Sequence, residues 1–298
     1  MTRCEIVVGN ALDVLRGMES NSIQACVTSP PYWWLRDYGV AEQLGLEATP
    51  QEYVERMVEV FGEVRRVLRK NGTLWLNLGD SYATYSVIQR FRHGLKPKDL
   101  VGIPWRVAFA LQSAGWWLRS DIIWSKTNPM PESIIDRPTK SHEYLFLLTK
   151  SARYYYDAQA IADPASHPGR VFEYDGTKKN SRAGDKVNDR RTTIGNGAPR
   201  TIVVGDTRNA RSVWTIPTSP FHEAHFATFP PELPRRCILA GSRPGDTILD
   251  PFAGAGTTGL VAHRLGRDFV GIELNPKYAE MARRRIRSDA PLLVEGGA

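Results

Sequence analysis

The stretch that most constrains the fold of this chain is Thr247-Ile248-Leu249-Asp250-Pro251-Phe252-Ala253-Gly254-Ala255-Gly256-Thr257-Thr258. Its apolar start reads as a buried strand, its glycines as a tight turn, and the residues through Leu260 and Leu265 as a helix. A second apolar run, Phe269-Val270-Gly271-Ile272, ends in Glu273, 19 positions after Gly254. Strand, glycine turn, helix and a strand closing on an acid have the layout of a nucleotide-binding βαβ unit. The glycines let the backbone approach a ligand, and the acid can grip both hydroxyls of a ribose. A glycine turn that serves sheet packing alone is the plainer alternative.

The details narrow the ligand. A phosphate-binding loop ends in GK[ST], and that ending is missing here. The dinucleotide fingerprint is incomplete as well: Gly254 and Gly256 are present, but the third glycine, Gly259, is out of register. Asp250 ahead of the turn would repel a pyrophosphate. It suits a cofactor with a cationic end, such as the amino-acid part of S-adenosyl-L-methionine.

The rest of the chain fits around that unit. Glu5 to Val8 reads as a strand followed by a short helix through Leu12 and Leu15, and Ile23 to Val27 as a second strand. Tyr53, Val54, Met57, Val58, Phe61, Val64 and Leu68 keep helical spacing after Thr49-Pro50, with Gly72 as the expected stop. Thr73 to Leu78, Asp121 to Trp124 and Glu143 to Thr149 read as strands, Pro104 to Ala114 as a helix, and 82–100 as a loop. Order resumes at Phe229-Pro230-Pro231-Glu232-Leu233, a helix start. Strands alternating with amphipathic helices predict an α/β sheet with parallel strands.

Between these parts the character changes. From Ser151 to Thr215 there are 11 Lys/Arg against 7 Asp/Glu, with little apolar periodicity. A long segment of this kind inside a domain is a solvated insertion or a functional one. The whole chain carries a formal charge of +7, which suits a polyanionic partner. Three scattered cysteines, Cys4, Cys26 and Cys237, give neither a disulfide framework nor a zinc spacing, so no metal is expected and a reducing compartment is. The amino terminus lacks a signal peptide's apolar core and no stretch reaches membrane-spanning length, so the expected location is cytoplasmic, without a membrane partner.

The second informative stretch is Thr28-Ser29-Pro30-Pro31-Tyr32-Trp33-Trp34, at the carboxyl end of a predicted strand. Each proline fixes φ and lacks an N–H, so the turn offers carbonyls held with little freedom. Ser29 adds an acceptor and Tyr32 a flat ring. Such a site can hold a planar ring bearing an amino group; a Pro-Pro turn with core aromatics is the other reading.

Together the two stretches resemble the amino-group DNA methyltransferases. Ser29-Pro30-Pro31-Tyr32 resembles their (D/N/S)PP(Y/F/W) catalytic motif, and Asp250 to Thr258 their S-adenosyl-L-methionine motif. The catalytic motif precedes the cofactor motif, which is the order of the permuted β class. The resemblance implies a Rossmann-like methyltransferase fold, circularly permuted, mostly parallel with helices on both faces. It assigns 1–157 to the catalytic part, 158–212 to an inserted basic target-recognition region and 213–298 to the cofactor part. It also implies catalytic roles for Ser29, Pro30, Pro31 and Tyr32. Asn10, Phe229, Pro230, Leu233, Asp250, Pro251, Phe252, Ala253, Gly254, Gly256, Thr257, Thr258, Glu273 and Asn275 are the expected cofactor contacts. Asn10 falls where the family often has an acid facing the adenine amine. Arg170, Lys178, Lys179, Arg182, Lys186, Arg190, Arg191, Arg200, Arg208 and Arg211 are the expected DNA contacts.

The implied reaction methylates the exocyclic amine of a base swung out of double-stranded DNA. Methylation at cytosine C5 is disfavoured, because that chemistry needs a cysteine nucleophile, typically after proline, and these three follow Arg3, Ala25 and Arg236. Serine at the first motif position is associated in the family mostly with cytosine N4, so N4 is favoured and adenine N6 is the alternative. A companion restriction endonuclease and a homodimer are further partners compatible with the resemblance. More distant alternatives are an RNA or protein amide methyltransferase, disfavoured by the motif order, and an inactive DNA-binding module, disfavoured by the intact motifs.

Overall fold

The computed structural model describes residues 2–37, 39–40, 42–84, 94–174, 200–219 and 229–289. Its strands are β1 (Cys4–Val8), β2 (Ile23–Thr28), β3 (Leu68–Leu78), β4 (Trp117–Ser125), β5 (His142–Thr149), β6 (Asp163–Pro164), β7 (Val171–Tyr174), β8 (Arg200–Val203), β9 (Thr207–Arg208), β10 (Val213–Thr215), β11 (Thr247–Asp250) and β12 (Asp268–Glu273). Its helices are α1 (Ala11–Gly17), α2 (Pro50–Val67), α3 (Ile103–Ser113), α4 (Glu232–Gly241), α5 (Thr257–Arg264) and α6 (Pro276–Asp289).

Eight strands form one sheet in the order β1-β12-β11-β2-β3-β5-β4-β10. The strands late in the sequence therefore lie beside the earliest ones, as the permuted order requires: β11 pairs with β2 and β12 with β1, both in parallel. The sheet is mixed, because β5 runs antiparallel to both β3 and β4. Among the described residues, five of its seven strand pairings are parallel, in keeping with the expected mostly parallel sheet, and the two antiparallel ones both involve β5. Helices α1, α2 and α3 pack together, as do α4, α5 and α6. Cys26, Leu74 and Leu76 join α2 in one core. On the other face, a Cβ at Gly241 of α4 would meet Thr73 Oγ1 at 2.7 Å and Ala25 Cβ at 3.5 Å.

Local chemistry explains the longest helix. Thr49 accepts a hydrogen bond from Glu52 N at 3.1 Å and Pro50 opens the first turn. Tyr53, Val54, Met57, Val60, Phe61, Val64 and Val67 then bury one face. Gly72 does not stop this helix. The chain passes at Leu68 directly into β3, and Gly72 lies inside that strand at an irregularity between the Ile23–Leu68 and Ala25–Thr73 pairs. A Cβ there would come within 3.0 Å of Gln24 O, so the glycine serves a close approach of strands.

The chain divides into two compact units, one of Met1–Ala160 with Ser212–Ala298 and one of Ile161–Arg211. In the described part of the smaller unit β6 pairs with β9 and β7 with β8, both antiparallel, where composition gave no strands. Among the described residues no helix is long and apolar enough to cross a membrane.

Candidate active site

Strands β11 and β2 are neighbours, yet the chain leaves them in opposite directions. From β11 it crosses to β12, and from β2 to β3, on the other side. A crevice opens at the carboxyl ends of such a diverging pair. Both informative stretches sit there, Ser29 to Tyr32 after β2 and Pro251 to Gly256 after β11.

Asp250 ties the two together. Thr28 Oγ1 donates to its Oδ1 at 2.6 Å, Thr258 Oγ1 to its Oδ2 at 2.7 Å, and Phe252 N to its Oδ1 at 3.1 Å. The side chain is only 2% exposed. Burial pushes its carboxyl up to about 6, against the opposing pull of the threonine hydroxyls. Asp250, an expected cofactor contact, lies where its carboxylate joins the end of β2 to the first turn of α5.

The glycine turn divides by role. Gly254 has φ +51° and open space above it, and its N–H donates to Glu273 Oε2 at 2.8 Å. Gly256 has φ +74°, and a Cβ there would strike Ala282 Cβ of α6 at 2.8 Å. Thr257 Oγ1 accepts from Arg285 Nη1 at 2.9 Å, and Thr258 is fully buried on Asp250. Gly256, Thr257 and Thr258 thus seat α5. Pro251 and Ala253 are buried, while Phe252 and Gly254 stay partly exposed on the turn.

Glu273 closes β12 and gathers three segments. Its Oε1 accepts from Asn275 N at 2.9 Å, its Oε2 from Gly254 N, and its carbonyl from Gly9 N at 3.0 Å. Burial raises its carboxyl and the backbone N–H groups lower it, with a net rise. Each oxygen keeps a lone pair, so this fixed carboxylate beside the open face of Gly254 fits the ribose of an adenosyl cofactor. Asn10 is the N-cap of α1, its Oδ1 accepting from Leu12 N at 2.9 Å. Leu233 is 1% exposed in the packing of α4, whereas Phe229 stays partly exposed; Pro230 is buried, and its carbonyl accepts from Leu233 N in the first turn of that helix.

On the β2 side Tyr32 organises the motif. Its hydroxyl donates to Glu143 Oε2 at 2.7 Å, and Ser29 Oγ lies 3.2 Å away. Since the phenol proton points to the carboxylate, the Ser29 hydroxyl donates to Tyr32, leaving its own lone pairs as acceptors. Glu143 is held by Asn77 Nδ2 at 3.1 Å and Lys126 Nζ at 2.5 Å. Burial and the nearby Glu143 push the Tyr32 phenol well above its ordinary value. The ring packs against Gly79, where a Cβ would come within 2.5 Å of it. Tyr53 Oη donates to the Pro31 carbonyl at 2.8 Å. Trp33 and Trp34 both donate through Nε1 to Glu47 O, at 3.0 and 2.7 Å, and Trp33 is 2% exposed. These indoles anchor the turn.

Sequence reasoning missed Asn77, Lys126 and Glu143. One signal existed: Asn77 interrupts the apolar run of β3 and is 2% exposed. Of the expected DNA contacts, Lys178, Lys179, Arg182, Lys186, Arg190 and Arg191 lie outside the described residues, as does the side chain of Arg200. Arg170 lies over the Phe172 ring at 4.9 Å, Arg208 Nη1 donates to Ser166 Oγ at 2.7 Å, and Arg211 N donates to Asp163 Oδ2 at 3.3 Å.

Known proteins share this arrangement. The family model for DNA methylases of the N6/N4 type matches residues 23–284. The Type II methyltransferase M.Cfr9I of Citrobacter freundii is 46% identical over 297 residues, covering 94% of this chain and 87% of that one. The Type II methyltransferase M.SmaI of Serratia marcescens is 45% identical, covering 95% and 90%. Among solved structures, a DNA modification methylase of Thermus thermophilus complexed with S-adenosyl-L-methionine aligns with a TM-score of 0.61 at 27% identity, over 96% of this chain and 94% of that one. The PvuII cytosine-N4-specific DNA methyltransferase shares the fold, with a TM-score of 0.67 at 19% identity over 100% and 89%. With both motifs at one crevice and such relatives along nearly its whole length, this chain belongs to the N6/N4 DNA methylase family.

Proposed function

We propose that this chain is a site-specific Type II DNA methyltransferase that uses S-adenosyl-L-methionine to methylate N4 of a cytosine swung out of the duplex. The observation that carries this reading is the chain from Ser29 through Tyr32 to Glu143: with the phenol donating to the carboxylate, a Ser29 hydroxyl directed at Tyr32 keeps its lone pairs for a base amine. An exocyclic amine is a poor nucleophile because its lone pair is delocalised into the ring. Accepting its protons on Ser29 Oγ and the Pro30 carbonyl holds it in place and returns electron density to nitrogen. When bound, the cofactor supplies a methyl group on sulfonium, a good leaving group. Glu273 and the Gly254 turn hold its adenosyl part.

The proton lost from nitrogen has a path. Ser29 Oγ takes it while passing its own to Tyr32 Oη, and Tyr32 passes its proton to Glu143 Oε2. A cysteine mechanism at carbon 5 finds no support: Cys26 and Cys237 are fully buried, and burial raises both thiols well above the ordinary value. Serine at the motif's first position supports cytosine over adenine. The smaller unit, Ile161–Arg211, would supply DNA contacts through its basic residues.

The test is transfer of tritium from labelled S-adenosyl-L-methionine to mixed DNA, followed by nucleoside mass spectrometry. N4-methylcytosine is expected. N6-methyladenine would reassign the base, and no transfer to DNA would overturn the activity.

A further inference from the structure

The loop joining β4 to β5, residues 126–141, rises from the edge of the catalytic turn. At its root Lys126 Nζ meets Glu143, whose other oxygen holds Tyr32, and Lys126 N donates to Ser141 O at 2.8 Å. Lys140 Nζ donates at 2.5 Å to the carbonyl of Asp80, next to the Gly79 on which Tyr32 packs.

The loop is pinned on both sides of its tip. Before it, Glu132 Oε2 accepts from Arg137 Nη1 at 2.7 Å and from Lys140 N at 3.3 Å. After it, Asp136 pairs with Lys98 at 2.5 Å, and the Arg137 guanidinium lies 3.9 Å from the centre of the Tyr82 ring. Asn128 exchanges hydrogen bonds with the Thr218 backbone. Between these anchors the tip displays Ile134, 44% exposed, and Ile135, 101% exposed, with Met130 at 86% on the same loop.

Single exposed apolar residues need no explanation, but here three share one braced loop beside a catalytic turn. Loop 126–141 carries Lys126, Arg137 and Lys140 against Glu132 and Asp136, a surplus of one positive charge on the loop that bears the apolar tip, and this pairing of charge with an apolar tip matches a duplex: charged outside, apolar between its stacked bases. A tip already held in place loses little freedom on insertion. We propose that Ile135, with Ile134, inserts into the base stack of double-stranded DNA and fills the gap left by the extruded target base. This rests on the reading that the target leaves the duplex.

The test uses the full chain with unmodified S-adenosyl-L-methionine and the DNA site identified by the transfer assay. First, 2-aminopurine replaces the target base; if the unaltered enzyme binds this duplex without a rise in fluorescence, extrusion itself fails and the insertion with it. With extrusion observed, the double substitution Ile134→Ser and Ile135→Ser should lower kcat/KM on the paired duplex by about 10- to 100-fold, the range of a lost stacking contribution. With an abasic site opposite the target, where extrusion is easier, the loss should shrink to within about threefold. Ile135→Leu should keep nearly full activity on both. Equal losses on the two duplexes, or no loss on either, would overturn the insertion. So would a change in sedimentation of the double variant without DNA, which would make the tip a contact between copies of the chain.

Discussion

Ser29 carries one hydroxyl proton, and Tyr32 decides where it points. Ser29→Ala removes an acceptor from the developing charge, so turnover should fall by about 10²–10³ with cofactor affinity unchanged by calorimetry. Tyr32→Phe keeps the ring against Gly79 but frees the serine proton and cuts the path to Glu143. It should lower kcat by about 10- to 100-fold while leaving KM for DNA nearly constant. A Tyr32→Phe enzyme with full kcat would show that the hydrogen-bond chain is scaffolding. Asp250 gives a second test, read in stability. Its carboxyl is raised from the ordinary 3.8 to about 6, so the folded state binds this proton more tightly than the unfolded chain does. That contribution is complete below pH 3.8 and is lost as pH rises through about 6, at most about 3 kcal/mol. Asp250→Asn should therefore flatten the fall of Tm across this window. Identical slopes in parent and variant would mean that another group carries them.

At the scale of elements, the two glycines of the turn separate fold from site. Gly256→Ala meets both a left-handed φ and Ala282 at 2.8 Å, so it should destabilise by about 2–4 kcal/mol in denaturant unfolding. Gly254→Ala has room for its methyl and bears only the φ penalty, about 1–2 kcal/mol. Its main effect should be weaker cofactor binding. Equal effects of the two on affinity would remove this division of labour. The same contrast explains what could be read from the sequence. Strand–turn–helix units are local, and the spacing around Gly254, Glu273 and Ser29 exposes them. Gly72 misleads because its need arises from β2, distant in sequence. Glu143, held by Asn77 and Lys126, meets Tyr32 only after β5 reverses direction between β3 and β4, and no local pattern encodes that pairing.

At the scale of the whole molecule, the sheet joins the two ends of the sequence while the basic segment stands as its own unit. Strands β1 and β12 pair along Cys4 to Val8, and Arg283 Nη2 of α6 donates to Ile6 O at 2.7 Å. The catalytic sheet thus draws on both terminal regions and none of its eight strands comes from Ile161–Arg211. Replacing 161–211 by a short Gly-Ser linker should leave cofactor binding measurable and the Tm of the sheet close to the parent's. DNA binding should respond differently. If the basic unit neutralises phosphates, the parent's affinity falls linearly with log salt, by about 0.9 log units per phosphate contact. The shortened chain should lose most of that slope together with its preference for one sequence, because register on the duplex comes from the backbone contacts and selection from the base edges. A shortened enzyme that methylates the same site with the same salt dependence would return 161–211 to a solvated insertion and place recognition on the catalytic unit.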